Sequence, residues 1–404
     1  MTDRPPAQAF RITSPVAGAL VATYVMTVVM AATTLPTPLY AIYASRLHLK
    51  PFLITVIFAA YAVAVLAALL LFGRLSDLVG RKPVLFTAMA FSAASAVVFV
   101  SSVSLPALFA GRLLSGISAG LVTGAATAYI SELHHDKGRG SLLATLANMG
   151  GLGLGPLIAG VLAEHFARPT ELPFIAAALL LVPALVLLAV PDTVKGQPGG
   201  LRAGIKPQRL GVPREIRVSF AAAAIAGFVA FALLGFITAL VGNFLGTGLG
   251  NHSHQTAGVV AFLVFTAGTV GQLLATGVSN RTASLIGLGI MPVGLTLMTV
   301  ALPATSLPLF LVGSMLGGVG AGFAFRAAIL NTNAIAPAQR RAEVLSTFFV
   351  IAYVGIALPV LLAGILITTT TLLTATVTLA CIVTALAAVA AAILVRLPSE
   401  GSTP

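Results

Sequence analysis

The sequence predicts an all-α integral membrane protein: twelve transmembrane helices in two pseudo-symmetric six-helix bundles. Three observations carry this. The 404 residues are 58% hydrophobic and only 8% charged, with a mean hydropathy of +1.06, whereas a soluble domain is about half apolar and a quarter charged. So few charges cannot cover a water-facing surface. Twelve apolar segments each reach about 18 residues or more, the length that crosses a hydrocarbon core of roughly 30 Å. The longest polar interval falls near the middle and leaves six segments on each side.

The segments lie near 17–43, 52–72, 83–102, 105–130, 141–163, 172–190, 217–243, 256–277, 283–302, 307–332, 343–367 and 369–395. They are continuous apolar runs without alternation, which excludes a spanning β-barrel. The first follows a polar tail and is too long for a cleavable signal core, so it is expected to stay as helix 1. The middle interval, "PDTVKGQPGGLRAGIKPQRLGVPREI", is rich in Pro, Gly and basic residues. The expected organisation is a cytoplasmic tail (1–16), a first bundle (17–190), a cytoplasmic linker (191–216), a second bundle (217–396) and a cytoplasmic tail (397–404).

Internal repetition supports two bundles from one plan. "GRLLSGISAG" (111–120) matches "GSMLGGVGAG" (313–322) at Gly, Leu, Gly, Ala and Gly in register, at an offset of 202 residues. Downstream, "HHDKGRGS" (134–141) corresponds to "APAQRRAE" (336–343). Two parallel repeats that rock about a site between them are a transporter plan.

The net charge of +12 raises the question of a nucleic-acid partner. The distribution of basic residues answers it. Among the loops on one side are Arg74, Arg81, Lys82, Lys137, Arg139 and the basic linker, whereas Arg46, Lys50 and Arg168 alone fall on the other. This asymmetry puts both termini in the cytoplasm and reads as membrane topology. No nucleic acid is expected as a partner. The single cysteine, Cys381, lies in the last helix and permits no intrachain disulfide.

Chemistry concentrates at a few places. "GRLSDLVGRK" (73–82) sets four charges in ten residues between helices 2 and 3. Gly73 and Gly80 allow a tight turn under neighbouring helices. An Asp near a helix N-terminus gains about 0.3–2 kcal/mol from the dipole, and Arg81 can reach Glu132 or Asp136 in the adjacent turn. Helix 1 carries "TTLPTPLYAIY" (33–43), where Pro36 and Pro38 disrupt helical hydrogen bonding. Tyr24, Thr27 and Thr34 share a face there, with Tyr40 nearby; they could bond a substrate or satisfy neighbouring helices. Helix 5 carries "GGLGLGPLIAG" (150–160), whose small residues allow close helix approach.

The turn resembles the signature of the major facilitator superfamily, Gly-x-Leu-x-Asp-x-x-Gly-Arg-Lys, at Gly73, Leu75, Asp77, Gly80, Arg81 and Lys82; Leu78 replaces a common basic residue. "RLLSGISAG" (112–120), "SELHHDKGRG" (131–140) and "VPDTV" (190–194) resemble further motifs of that family. The resemblance implies the major facilitator fold and a charge latch built from Gly73, Asp77, Gly80, Arg81, Lys82, Glu132, Asp136 and Arg139. It also implies a cavity lined by helices 1, 4, 7 and 10. Gly151, Gly155, Pro156 and Gly160 resemble the Gly-Pro-x-x-Gly-Gly pattern of proton-coupled exporters, with Ala159 in place of one glycine.

Proton-driven transport usually uses a titratable group near the bilayer midplane, and none is found. Asp77, Glu132, Asp136, Glu164, Glu171, Asp192, Glu215 and Glu343 all fall at helix ends or in loops, as do the histidines. His134-His135 and His252-x-His254 read as solvated loop residues, so neither a metal nor another cofactor is expected. Arg112 and Arg326 lie well inside helices. Both stay charged at any relevant pH; each either snorkels to the nearer interface or faces the cavity. Two cations without an acid favour a neutral or anionic amphipathic substrate over a bulky cation.

These readings converge on a multi-pass protein of the plasma (inner) membrane and not an enzyme. Prenyl-transfer enzymes need paired acidic motifs for magnesium, and direct ATP use needs a phosphate-binding loop; the sequence has neither. The expected function is efflux of small amphipathic compounds by alternating access, as a monomer, with protons as the coupling ion. The alternative is import of a nutrient such as a sugar or organic anion.

Overall fold

The computed structural model describes residues 12, 14–134 and 136–397; the tail residues Arg4 and Arg11, and His135, lie outside the described residues. Among the described residues twelve helices are long and apolar enough to cross a membrane: α1 Pro15–Leu47, α2 Pro51–Phe72, α3 Arg81–Ser101, α4 Leu105–Leu133, α5 Gly138–His165, α6 Leu172–Ala189, α7 Arg214–Gly248, α8 His254–Gly277, α9 Asn280–Ala301, α10 Leu307–Ile335, α11 Ala338–Thr369 and α12 Leu372–Arg396. The protein is a multi-pass membrane protein with the fold the sequence predicts. The helices overrun the apolar segments at several ends, most in α7 and α11, because a helix continues into the interface as long as its last carbonyls find partners.

The repeat in sequence becomes a repeat in packing. In the first half α1 packs on α5, α2 on α4 and α3 on α4; in the second half α7 packs on α11, α8 on α10 and α9 on α10. Even the caps repeat. Ser104 and Ser306, the same 202 residues apart, accept from the N–H groups of Ala107 and Leu309, the third residues of α4 and α10, both at 3.4 Å. Such caps satisfy donors that no intrahelical carbonyl can reach.

Two helices depart from regularity for legible reasons. In α1 the helix breaks at Leu35 into Pro15–Thr34 and Pro36–Leu47, since Pro36 and Pro38 cannot donate to carbonyls a turn earlier. α6 tightens into a 3₁₀ turn over Pro183–Ala189, again starting at a proline.

The halves meet along α5–α8 and α2–α11. One buried apolar cluster joins the second half to the far ends of the first, through Leu39, Tyr43, Ile57, Phe99 and Phe174. A separate cluster, with Val25, Val65, Leu85, Val122 and Leu187, occupies the opposite ends of α1–α6, where the basic turns lie. The halves are therefore fused at the end away from the basic turns.

Glycine sets the closeness of that fusion. A Cβ at Gly160 would lie 2.5 Å from the carbonyl oxygen of His254 and 3.1 Å from the Cα of Gly258. Gly160→Ala is expected to lower the thermal stability of the purified protein by about 1–3 kcal/mol, the usual cost of overpacking. Gly150→Ala, where nothing lies within 4 Å, should leave it unchanged. Equal melting curves for the two variants would refute the close crossing of α5 and α8.

Candidate functional site

The charged turn is built from the backbone outward. α2 ends at Phe72, a five-residue helix covers Leu75–Val79, and Gly80 turns the chain at φ +103° into α3. That φ is open to glycine at little cost. A side chain there would also meet the Asp192 carboxylate, 2.6 Å from the Cβ position. Asp192 accepts from the N–H groups of Arg81 (3.0 Å) and Lys82 (3.1 Å), and so caps α3.

Arg81 is the hub. Its side chain is 8% exposed, and it meets Asp77 at 2.5 Å and Glu132 at 2.6 Å. A second bond from Nε to Glu132 (3.2 Å) makes that pair bidentate, and Ser76 accepts from Nη1 at 2.7 Å. Thr193 donates to the same Glu132 carboxylate at 2.5 Å.

Not every residue expected in the latch is here. Lys82 spends its ammonium on the carbonyls of Leu188 (3.0 Å) and Val190 (2.6 Å), at the end of α6. Asp136 instead caps α5, accepting from the N–H groups of Gly138 (2.8 Å) and Arg139 (3.2 Å), and lies 3.7 Å from the exposed Arg139 guanidinium. Those backbone donors, Arg139 first, hold its carboxyl below the usual carboxylate range. The cap is thus in force above the ordinary carboxylate pKa and is lost as pH falls through the lowered value.

The linker 191–216, which the sequence marks as polar and rich in Pro, Gly and basic residues, is seated against this turn. Gln197 donates to the carbonyl of Leu78 (2.8 Å) and Gln208 to that of Leu70 (3.0 Å). Gly196, Gly200 and Gly204, four residues apart, back onto Val79, Leu78 and Leu75, where Cβ atoms would approach to 3.1, 2.6 and 2.7 Å. Gly73 lies under the Gln208 amide. Further along, the Gln208 side chain bonds Ser346, and Gly211 donates to the Thr347 hydroxyl (2.9 Å), both on α11. The linker therefore ties α2 to α11. Its spacing of glycines was a signal available in the sequence.

In α5, Gly151 and Gly155 let α1 approach: Cβ atoms there would run into the backbone at Thr27 and Ala31. Pro156 cannot donate to the carbonyl of Leu152, and the Thr34 hydroxyl fills that vacancy at 3.0 Å. Thr27 bonds the carbonyl of Thr23 (2.9 Å) in its own helix, and the Tyr24 hydroxyl reaches Leu180 on α6 (2.8 Å). These three therefore serve helix contacts in this conformation.

Deeper in, Arg112 is 3% exposed. Its Nη1 donates to the Thr33 carbonyl (2.7 Å), beside the break in α1, and its guanidinium carbon sits 4.3 Å from the Tyr61 ring centroid and 5.6 Å from that of Phe58. The Arg112 Nε and the Tyr40 and Tyr43 hydroxyls are buried without protein partners. Arg326 is half-buried with its Nε likewise unpartnered. Among the described residues no carboxylate pairs with either arginine. Beside Arg326 in sequence, Phe325 packs on Phe231 (5.1 Å), which meets Tyr353 edge-on (5.4 Å). Tyr353 of α11 in turn packs against the apolar cluster of the first half. This aromatic group spans α7, α10 and α11, and was not singled out in the sequence, where phenylalanines are too common in apolar helices to mark a site.

Comparison with known proteins agrees with this geometry. The Major Facilitator Superfamily profile matches residues 21–289. Over 175 residues the chain is 30% identical to Multidrug resistance protein 1 of Bacillus subtilis (strain 168), covering 40% of this chain and 44% of that one. Over 113 residues it is 38% identical to the class G tetracycline resistance protein of Vibrio anguillarum, 27% of each. The aligned stretches thus span less than half the length of these relatives. The structure is similar to that of the human organic anion transporter MFSD10 (TETRAN), with a TM-score of 0.67 and 18% identity, covering 97% of this chain and 100% of that one; at that identity the likeness concerns the fold. With a profile that covers well over half of the chain and a fold shared over nearly all of it, the protein belongs to the Major Facilitator Superfamily and is a membrane transporter, not an enzyme.

Proposed function

We propose that the protein is an exporter of small amphipathic compounds, neutral or anionic, driven by proton entry across the plasma membrane. The observation that carries the substrate class is Arg112: a buried cation with no carboxylate partner, flanked by aromatic rings and unpaired phenols. A buried charge without a counter-ion is costly, and an anionic or strongly hydrogen-bonding ligand relieves that cost. A bulky cation would add to it. The aromatic group around Phe231, Phe325 and Tyr353 supplies apolar area for the rest of the ligand. Efflux is supported by the multidrug and tetracycline resistance relatives.

In this reading the basic turns face the cytoplasm, as do both termini, and residues 17–190 and 217–396 are the two moving bundles about the linker 191–216. The Arg81 hub is the latch that locks the cytoplasmic end of the first bundle. The chain acts as a monomer.

The test is accumulation of a panel of labelled cationic, neutral and anionic compounds in cells stripped of their own efflux pumps. Lower accumulation of anionic or neutral members, restored to the control level by a protonophore, is the expected result. Accumulation that is unchanged or raised across the panel would exclude export and direct attention to uptake.

A further inference from the structure

At the end opposite the latch, one carboxylate crosses between the halves. Glu164 stands at the last turn of α5, exposed, and its Oε2 accepts from the N–H groups of His254 (2.8 Å) and Gln255 (3.4 Å). These are the first donors of α8, in the other half, and no carbonyl of α8 can satisfy them. Ser253 takes the next free donor, the Thr256 N–H, at 3.1 Å. The neighbouring His165 bonds the Gln255 side chain at 2.8 Å. One turn deeper, Gly160 and Gly258 bring the two backbones into contact. Among the described residues the only other acid at this end, Glu171, is engaged with Arg168 (3.4 Å) in its own loop.

A carboxylate at a helix N-terminus is held by its charge, through aligned N–H groups and the positive end of the helix. A neutral carboxyl is held far less. Glu164 also meets bulk water, so protons from the outside reach it directly. We propose that Glu164 is the closing residue of the outer gate: ionised, it clamps the first half to the start of α8, and protonated from the outside, it releases α8 and lets the outer gate open. This rests on the orientation and alternating access given under Proposed function. The proton arrives from and returns to the same side. The device therefore sets when the gate opens and carries no proton across the membrane.

Other ionisable groups surround the contact. His165 shares its helix, and Arg168 and Glu171 follow in the loop to α6. His252 and His254 flank the start of α8, and the outer piece of α1 brings Tyr40, Tyr43 and Arg46. Protonated histidines would favour an ionised Glu164 and oppose release, so the sign of the response separates the two kinds of group.

The experiment is a distance measurement between spin labels at Ser102→Cys and Thr247→Cys, both exposed and on opposite halves at this end, in a Cys381→Ser background in nanodiscs. Acidifying from about pH 7 to about pH 3.5, which passes through ordinary imidazole and carboxylate pKa values, should lengthen the distance, chiefly at the acid end, because the Glu164 carboxyl titrates below the usual carboxylate range. Glu164→Gln should be shifted to the long distance at both pH values, with the open-to-closed ratio raised roughly 2- to 30-fold, the range for a charge at a helix N-terminus. Glu164→Asp, which keeps the charge, should retain a pH response. A combined His165→Gln, His252→Gln and His254→Gln variant should retain it too. A Glu164→Gln protein that stays closed at high pH and still opens on acidification overturns the proposal, as does a response lost with the histidines while Glu164 remains. The distances are read without substrate, so failure of the export assay and failure of the gate are separate results.

Discussion

Replacing Arg81 with leucine is expected to stop transport and to cost the protein about 2–4 kcal/mol of stability, near the lower end of values for breaking a buried ion pair because both acids keep some solvent contact. The guanidinium is 8% exposed and binds Asp77, Glu132 and Ser76 at once. Leucine would leave Glu132, 35% exposed, with Thr193 as its remaining partner. Lysine is expected to rescue only in part, since one ammonium cannot reproduce the planar fork that meets two oxygens of Glu132 together with Asp77. Glu132→Gln should cost more stability than Asp77→Asn, because Glu132 takes two of the bonds and is the less exposed of the two acids. Melting curves of the purified variants, set beside initial rates in cells, would check this. A leucine variant that melts and transports like the wild type would remove the latch from the mechanism.

The second large effect concerns Arg112. Arg112→Ala is expected to reduce the apparent affinity for anionic compounds roughly tenfold to a hundredfold, the value of one hydrogen bond to a charged group. Neutral compounds should lose much less. Arg112→Lys should recover part of the anionic preference, since it restores the charge without the flat face that stacks on Tyr61. The comparison matters because Arg112 also braces α1 through the Thr33 carbonyl. If alanine lowers transport of neutral and anionic compounds alike, the side chain is a structural brace and the substrate class must be sought elsewhere. Concentration dependence of transport for one neutral and one anionic compound decides between these.

Much of the fold was legible because the rule that produces it is coarse. Run length against bilayer thickness decides where a helix crosses, and a repeat at constant offset decides how the halves correspond. The break in α1 followed from Pro36 and Pro38 alone. The sites were less legible, and for specific reasons. Glu132 and Asp136 were equal candidates for Arg81 by distance along the chain. Asp136, however, immediately precedes α5 and is consumed as its cap, a role its place before Lys137-Gly138 could have suggested. Asp192 and Glu164 both serve helix starts far away in sequence, Arg81 and His254. No local pattern predicts a cap donated from another element. Thr34 illustrates the opposite case: the carbonyl freed by Pro156 was foreseeable, but the hydroxyl that reaches it comes from a different helix.

The interruption of α1 has a mechanical consequence. A continuous helix transmits torque along its whole length, so turning one end turns the other. At Leu35 that transmission is weakened, since the backbone stays helical while Pro36 and Pro38 donate no hydrogen bond to the turn before. The piece Pro36–Leu47 packs on α5 of its own half and on α7 and α8 of the second half, whereas the piece Pro15–Thr34 packs chiefly on α5 and α4 of its own. The outer piece thus touches both halves, the inner piece chiefly its own, and the two are joined at Leu35, directly before Pro36 and Pro38. Bending at this joint lets the outer piece shift with less disturbance to the helix below it and its tie to Arg112. In engineering terms the first half is a lever with an elbow, and its outer door is lighter than the wall that carries it.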